Sequence, residues 1–274
     1  MKIIITIFLI NIVALSYAQS NTSVSKKQYN LFNPTPKNLM REFATDRPDA
    51  TESPYTVDAG HLQLETDLFK TEHFKTVGIT TTNNFYNIAN IKMGITNSLD
   101  LQLVVSSLVV STINSGTSAT KTSGFGGITL RVKQNLWGND NGQSALAILP
   151  FINIPTGNDG KFSGGIVMPF ALSLPHGWNF GSQIEADITE GIMNNNYYFN
   201  FLASATISHP LFKNFDFFAE GVLSRDNELE TYEYFLDGGF VFALSPAIHI
   251  DTGIYYGLKN TLPTTYFLGL SFRF

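Results

Sequence analysis

Between Thr45 and Glu65 the chain reads TDRPDATESPYTVDAGHLQLE, which places Asp46, Arg47, Asp49 and Glu52 within seven residues. Carboxylates and a guanidinium this close could bind a cation, act as acid and base, or pair with opposite charges elsewhere. The first two need partners at defined spacing, and the five histidines supply none. His61, His73, His176, His209 and His249 are scattered, with no second His at ligand spacing. No Ser–His or Asp–His arrangement of the kind required by barrel phospholipases or proteases accompanies them. The His-Pro at 209–210 reads as turn chemistry. Glycine pairs at 126–127, 164–165 and 238–239 lack the Lys and following helix of a phosphate loop, and read as strand bends or bulges. With no cysteine, disulfides and thiolate metal sites are both excluded. No catalytic, cofactor-binding or metal-binding residue is expected, which leaves ion pairing. Arg47 suits bidentate pairing with carboxylates such as Glu65, Asp67, Glu185 or Asp187. Asp46 and Glu52 suit Arg131, Lys133 or Arg273.

Such pairs can form only if one face of the chain collects these residues. From about residue 58 onward, apolar and polar residues alternate with a period of two, which separates them onto opposite faces of strands. Tyr197, Phe199, Phe201 and Ile207 oppose Asn200, Ser204 and Thr206; Tyr232, Tyr234, Leu236 and Phe240 oppose Glu233 and Asp237. The polar set is Asn, Gln, Ser, Thr, Gly and isolated carboxylates. A soluble sandwich would show Lys and Glu there, so the set reads as a lumen lining and the apolar set as lipid-facing. The same parity turns Glu65, Asp67, Glu185, Asp187, Asp216, Glu220, Glu233, Asp237 and Asp251 inward, together with Arg131, Lys133 and Arg273. LQLVVSSLVV (101–110) and ALAILPFINI (145–154) are apolar on both faces and assign nothing.

Short connections (96–99, 137–142, 175–177, 209–214, 245–246) take turns with longer polar ones near 72–84, 111–124, 155–164, 190–196, 224–231 and 257–264. This predicts an all-β fold: a single transmembrane antiparallel barrel of about twelve strands, with periplasmic turns and external loops. Trp178, Phe215 and Phe272 would mark one membrane boundary, and Tyr197, Tyr232 and Tyr266 the other. The chain closes on YFLGLSFRF, with Tyr266, Leu268, Leu270, Phe272 and Phe274 on one face. Phe272 and Phe274 are similar to the C-terminal signal that the barrel-assembly machinery reads. At the other end, Met1–Lys2, an apolar run and Ser16-Tyr17-Ala18 predict a secretory signal peptide cleaved after Ala18. The expected parts are thus a signal peptide (1–18), an irregular N-terminal segment that can plug the lumen (19–57) and the barrel (58–274). Charged residues are 14% of the chain, against roughly 25% in soluble domains. A net charge of −5 gives no basic footprint for nucleic acid.

Thr45-Asp46-Arg47-Pro48, Thr51-Glu52, and then Val57, Gly60 and Leu62–Glu65 open the barrel, with IPTG at 154–157 and HPLF at 209–212 further on. In these residues the chain resembles the outer-membrane family labelled "putative MetA pathway of phenol degradation", whose members are often called transporters. The resemblance implies an outer-membrane barrel that moves hydrophobic or aromatic compounds, and it names no substrate. Twelve strands lie between about eight, where side chains fill the interior, and about sixteen, where a water channel remains. A narrow, partly plugged lumen suits slow passive passage. Expected partners are outer-membrane lipid, the assembly machinery and a small hydrophobic solute. Two readings of the charges stay open: residues 46–52 as a latched plug or as a structural anchor, and the acidic lumen as a cation filter or as ion-paired filling. A sealed structural or adhesive barrel is the competing function, and a barrel enzyme the third.

Overall fold

The computed structural model describes residues 28–140, 142–156, 161–191, 196–259 and 261–274. The expected signal peptide and Gly157 of the IPTG stretch lie outside these residues. One antiparallel sheet contains β1 (Leu62–Thr76), β2 (Ile79–Gly94), β3 (Leu99–Asn114), β4 (Ala119–Gly124), β5 (Gly127–Trp137), β6 (Ser144–Ile154) and β7 (Ser163–Ser173). It continues through β8 (Asn179–Glu190), β9 (Tyr197–Phe212), β10 (Phe215–Asp226), β11 (Thr231–Ser245), β12 (Ile248–Gly257) and β13 (Thr264–Arg273). β1 pairs with β13 on one side and β2 on the other, so the sheet closes on itself. β4 and β5 hold a single register on β3, with Val109 opposite Gly124 and Ser106 opposite Gly127. They are two halves of one strand interrupted at Phe125–Gly126. The wall therefore has twelve staves, the predicted architecture.

Composition misled the reading at three connections. The stretch near 72–84 is a hairpin: β1 and β2 are joined by Val77–Gly78 alone, with Gly78 at φ +74°. Likewise β3 and β4 continue to within four residues of each other across 115–118. Thr, Asn and Ser read as loop by polarity, but β-branched Thr suits extended backbone, and above the lipid both faces of a strand can meet water. His73 consequently lies within β1. At 209–214, β9 runs on through Phe212, and only Lys213–Asn214 turn, with Asn214 at φ +66°. Pro210 lacks an N–H and sits where the β9–β10 register shifts.

The two faces separate as a membrane barrel requires. On β13 Tyr266 and Leu268 are 50% and 42% exposed, as is Phe274 just beyond it at 63%, while Thr265, Phe267 and Ser271 are buried. Large apolar residues are exposed all round the outer surface, from Leu101 on β3 to Ile184 on β8 and Leu236 on β11. A belt of this extent would be an aggregation surface in water and is a solvation surface in lipid. Inside, the buried set is largely polar: Gln63, Glu65, Lys92, Asp100, Gln102, Lys133, Gln183, Ser204, Glu220, Asp237 and Asp251. The apolar lumen residues Ala145, Ala147 and Leu149 of β6 are fully buried, so the stretch that looked two-sided does have an inner face.

Residues 28–61 form no barrel strand. They enter at the end that carries the short turns, where Asn30 bridges Thr96 and the Leu31 N–H donates to the Ile95 carbonyl (2.9 Å). A single 3-10 turn at Lys37–Leu39 follows, and the chain then runs up into the lumen. The first strand begins at Leu62, and Asp58 still belongs to the inner segment.

A barrel whose ladder closes on itself has no edge from which to fray. The protein in mild detergent should therefore show a β-type circular dichroism spectrum and migrate differently on gels before and after boiling. A helical spectrum, or one position on the gel regardless of heating, would contradict the closed ladder.

Candidate functional site

The segment from Arg41 to Asp58 is rich in backbone N–H groups with nowhere local to go. Pro48 and Pro54 interrupt any regular structure, and buried amides need acceptors. The barrel wall supplies them through side chains. Glu65 Oε2 accepts from the Asp46 N–H (3.0 Å), and Gln183 Oε1 accepts from Glu52 (2.7 Å). Glu220 accepts from Ala50 (2.7 Å), from Thr51 (2.9 Å) and from the Thr51 hydroxyl (2.5 Å). That hydroxyl also meets Ser204 Oγ at 2.6 Å. Asp100 Oδ2 accepts from Val57 (3.0 Å), and Asn139 Oδ1 from Thr56 (3.0 Å).

Ion pairs reinforce this threading at four points. Asp46 is the hub, with one carboxylate oxygen taking Lys92 Nζ and the other Lys133 Nζ, while Lys92 also binds Glu65. All four side chains are buried. Arg47 grips Asp251 through Nε (3.2 Å) and Nη2 (2.7 Å) and reaches Asp67 through Nη1 (2.6 Å). Its guanidinium lies over the Phe267 ring, 5.6 Å from the centroid. Gly269 makes room for it, because a Cβ there would fall 2.0 Å from Nη2. Glu52 meets Arg131 at 2.5 Å. Nearer the entrance, Asp58 binds Arg41 Nε (2.9 Å) and Arg273 Nη1 (3.4 Å), and Arg273 also donates to the Arg41 carbonyl (2.9 Å).

Electrostatics differ between these carboxylates. Burial raises the Asp46 pKa, but Lys133 and Lys92 overcome it and hold the group well below the ordinary carboxylate range. Burial likewise lowers Arg47, and its bonds to Asp251 and Asp67 more than restore the charge. Glu52 goes the other way: burial pushes it up to about 7 against Arg131, helped by the neighbouring Asp46 carboxylate. Its Oε2 and Arg131 Nε are both buried without a hydrogen-bond partner. Asp49 is raised by burial and by Glu220, although the Thr206 hydroxyl bonds it.

Of the residues singled out from sequence, Asp46, Arg47, Glu52, Glu65, Asp67, Arg131 and Lys133 converge on this one site. Glu65 serves Lys92 and the segment's backbone, however, and not Arg47. Glu185 is a neighbour of Arg131, and Asp187 accepts from Asn200 (3.3 Å); neither touches Arg47. Arg273 pairs with Asp58, away from Asp46 and Glu52. Asp237 lies opposite Glu220 in the β10–β11 ladder, with Oδ1 unpartnered. Phe272 and Phe274 pack edge-on at 5.0 Å, and the Phe274 N–H donates to the Leu62 carbonyl at the barrel seam. His61 and His249 face inward: His61 contacts the Phe274 and Thr35 carbonyls (2.9 and 2.7 Å), and His249 packs on Phe43. Among the described residues no cluster of three or more His, Asp or Glu is arranged to hold a metal.

Lys92, Asp100, Arg41 and Asp58 escaped the sequence reading. Lys92 stands between Ile91 and Met93, and Asp100 between Leu99 and Leu101, so alternation marks both as inward. The doubly apolar run at 101–110 hid the second, and Arg41 and Asp58 lie in a segment with no period to read.

A family model described as "Putative MetA-pathway of phenol degradation" matches residues 45–274, from the lumenal segment to the last strand. The chain belongs to this family. Its fold is that of solved outer-membrane barrels. An outer membrane channel from Pseudomonas putida F1 superposes with a TM-score of 0.61 at 12% identity, over 84% of this chain and 100% of that one. The KdgM porin, solved with disordered oligogalacturonate, gives 0.50 at 8% identity, over 77% and 99%. No match was found among curated proteins.

Lys133 has 1% of its side chain exposed, and removing it would leave Asp46 with half its neutralising charge. Breaking one side of a buried pair costs about 3–5 kcal/mol. Lys133→Met should therefore release the segment, and limited proteolysis should cut between residues 41 and 58 in the variant and not in the parent. Equal protection in both would show that the hydrogen bonds hold the segment without the hub.

Proposed function

We propose that this chain is a bacterial outer-membrane channel, delivered with a cleaved signal peptide and inserted by the barrel-assembly machinery. In this reading small hydrophobic or aromatic solutes cross it passively, and residues 41–58 limit their flow. The observation that carries the proposal is the way that segment is held. Among the described residues, every hydrogen bond between 41–58 and the wall uses a side chain on at least one side. The segment can leave without breaking a single rung of the barrel ladder. Membership of the family and the fold shared with solved channels support the same reading. Arg47→Ala should raise single-channel conductance in planar bilayers while the barrel stays folded, and removing residues 19–52 should raise it further. Unchanged conductance in both would leave the segment a fixed anchor and favour a sealed structural barrel, a reading supported by the enclosed ion pairs of Asp46 and Arg47.

Glu52 adds a dependence on pH. Its carboxyl is faced by Arg131 from β5, by Lys133 from the same strand, and by Asp46 from its own segment. Its pKa in the latched state is about 7, above the ordinary value of 4.5. The latched state then binds the extra proton between those values, and latching is favoured at low pH and weakened as pH rises through about 7. Asp49, also raised, acts in the same direction. Conductance should increase between pH 5.5 and 8.5, and Glu52→Gln should flatten part of that rise. An opposite slope, or one indifferent to Glu52→Gln, would remove Glu52 from the latch.

A further inference from the structure

A charged residue stands on the lipid-facing side of β10. Phe218, Glu220 and Val222 are buried inside. The opposite parity, Ala219, Gly221, Leu223 and then Arg225, therefore faces outward. A charge on that face is costly at mid-membrane and costs little near the boundary. Arg225 stands ten residues above Phe215, the turn end of β10. At roughly 3.3 Å per residue and a tilt near 40°, that is a rise of about 25 Å, the full height of the apolar band. Arg225 marks the loop-end boundary of the membrane.

A second cation joins it on the same surface. Arg225 lies opposite Tyr232 in the β10–β11 ladder, with its Cζ 4.6 Å from the ring centroid. Lys259, just beyond β12, donates from Nζ to the Tyr232 carbonyl and lies 5.8 Å from the centroid of the Tyr234 ring. Tyr232 and Tyr234 are 49% and 42% exposed on the outer face. Two cations and two phenols thus form one patch where the wall leaves the lipid.

Neutral groups fix these cations in place. Arg225 Nε donates to Asn227 Oδ1 (3.0 Å) and Nη1 to the Glu230 carbonyl (3.1 Å). Asn227 is itself held by Asn200 Oδ1, which accepts from its N–H (3.2 Å), and by the Phe199 carbonyl. Only two of the five guanidinium N–H groups are used in this way. Among the described residues neither Arg225 nor Lys259 is in an ion pair, whereas Lys161, over Tyr197 on the same rim, is matched by Glu190 (2.9 Å). The nearby acids are turned elsewhere. Asp226 accepts from the Leu229 N–H of its own loop (2.8 Å), Glu228 lies beside Gly191, and Glu233 faces the lumen bonded by Ser224 (3.2 Å). The Glu230 side chain stands in solvent.

We propose that this patch binds the phosphorylated headgroup of a lipid in the leaflet at the loop end of the barrel. Phosphate suits two cations that keep N–H donors open: the guanidinium edge can bond two of its oxygens in parallel, and the ammonium another. The tyrosines sit at headgroup depth, with their rings against the acyl boundary and their hydroxyls in the polar layer. Basic residues at a membrane surface attract anionic lipid in the same way. Continuity with the lipid-facing wall favours a lipid over a free anion. Leu223, opposite Tyr234 in the ladder, and Leu236, the next outward residue of β11, lie just below to receive acyl chains. The site goes beyond the channel reading and would exist whether or not the lumen conducts.

The test is native mass spectrometry of the full chain in detergent, titrated with phosphatidic acid or with phosphatidylcholine of the same acyl chains. The parent should retain phosphatidic acid several-fold better than phosphatidylcholine. Combining Arg225→Gln with Lys259→Gln should bring it down to the phosphatidylcholine level, while Lys161→Gln, which alters a cation already paired, should leave the preference intact. Millimolar inorganic phosphate should not displace the lipid. No preference in the parent, or an undiminished one in the double variant, would overturn the site. An equal loss in Lys161→Gln would also overturn it, by showing that any rim charge suffices. So would displacement by inorganic phosphate, which would make this a site for a free anion. Gel mobility of each variant before and after boiling shows that the barrel is intact.

Discussion

Irregular backbone can sit inside a membrane barrel only if each of its buried amides finds an acceptor, because neither lipid nor a second strand will provide one. Here the acceptors are carboxylates and amides projecting from the wall, and this explains why the lumen is acidic. Glu65, Glu220 and Asp100 face inward to receive N–H groups of Asp46, Ala50, Thr51 and Val57. Lys92, Lys133 and Arg131 then balance the charge that those acceptors and the segment's own carboxylates introduce. The alternative reading, in which inward acids select cations, has less room: Glu65, Asp67, Glu220 and Asp251 are engaged with the segment.

Paired charges this deep contribute less to stability than their number suggests. Taking both partners out of water offsets most of their attraction, and an apolar pair of equal volume would do about as well. What they impose is uniqueness. Asp46 has to stand between Lys92 and Lys133 while Arg47, the next residue, turns the other way along the wall to Asp67 on β1 and Asp251 on β12. Sliding the segment by one residue either way would put a like charge at one of these places and an uncharged residue, Pro48 or Thr45, at the other, and strand several buried charges. A single register satisfies all of them, so the segment is specified as tightly as a strand without being one.

The barrel was legible because alternation is a property of each strand alone. Tyr232, Tyr234 and Leu236 could be placed outside, and Glu233 and Asp237 inside, before any pairing was known. Strand ends were less legible where chemistry above the membrane stops alternating, as in the Thr- and Asn-rich hairpin of β1 and β2. The latch was legible as residue types and partly as partners. Arg47 with Asp67, Asp46 with Lys133 and Glu52 with Arg131 all lay within the sequence's set of choices. Which carboxylate Arg47 takes depends on register and on space. Asp251 wins because Gly269 on β13 leaves a gap beside it, and nothing in the segment's own sequence encodes that gap.

The segment is least enclosed against one strand. Glu52 is held there by Arg131, an inward residue of β5. That pair is also the most solvated of those made by residues 46–52, with 24% of the Arg131 side chain and 15% of the Glu52 side chain exposed. A partly solvated pair costs less to break than an enclosed one, and the Asp46 hub is enclosed on all sides. Loosening of the segment should therefore start at Glu52, on the β5 side, with Asp46 and Arg47 still seated. The lumen would then widen first beside β5, while the Asp46 hub still fixes the register of the rest of the segment.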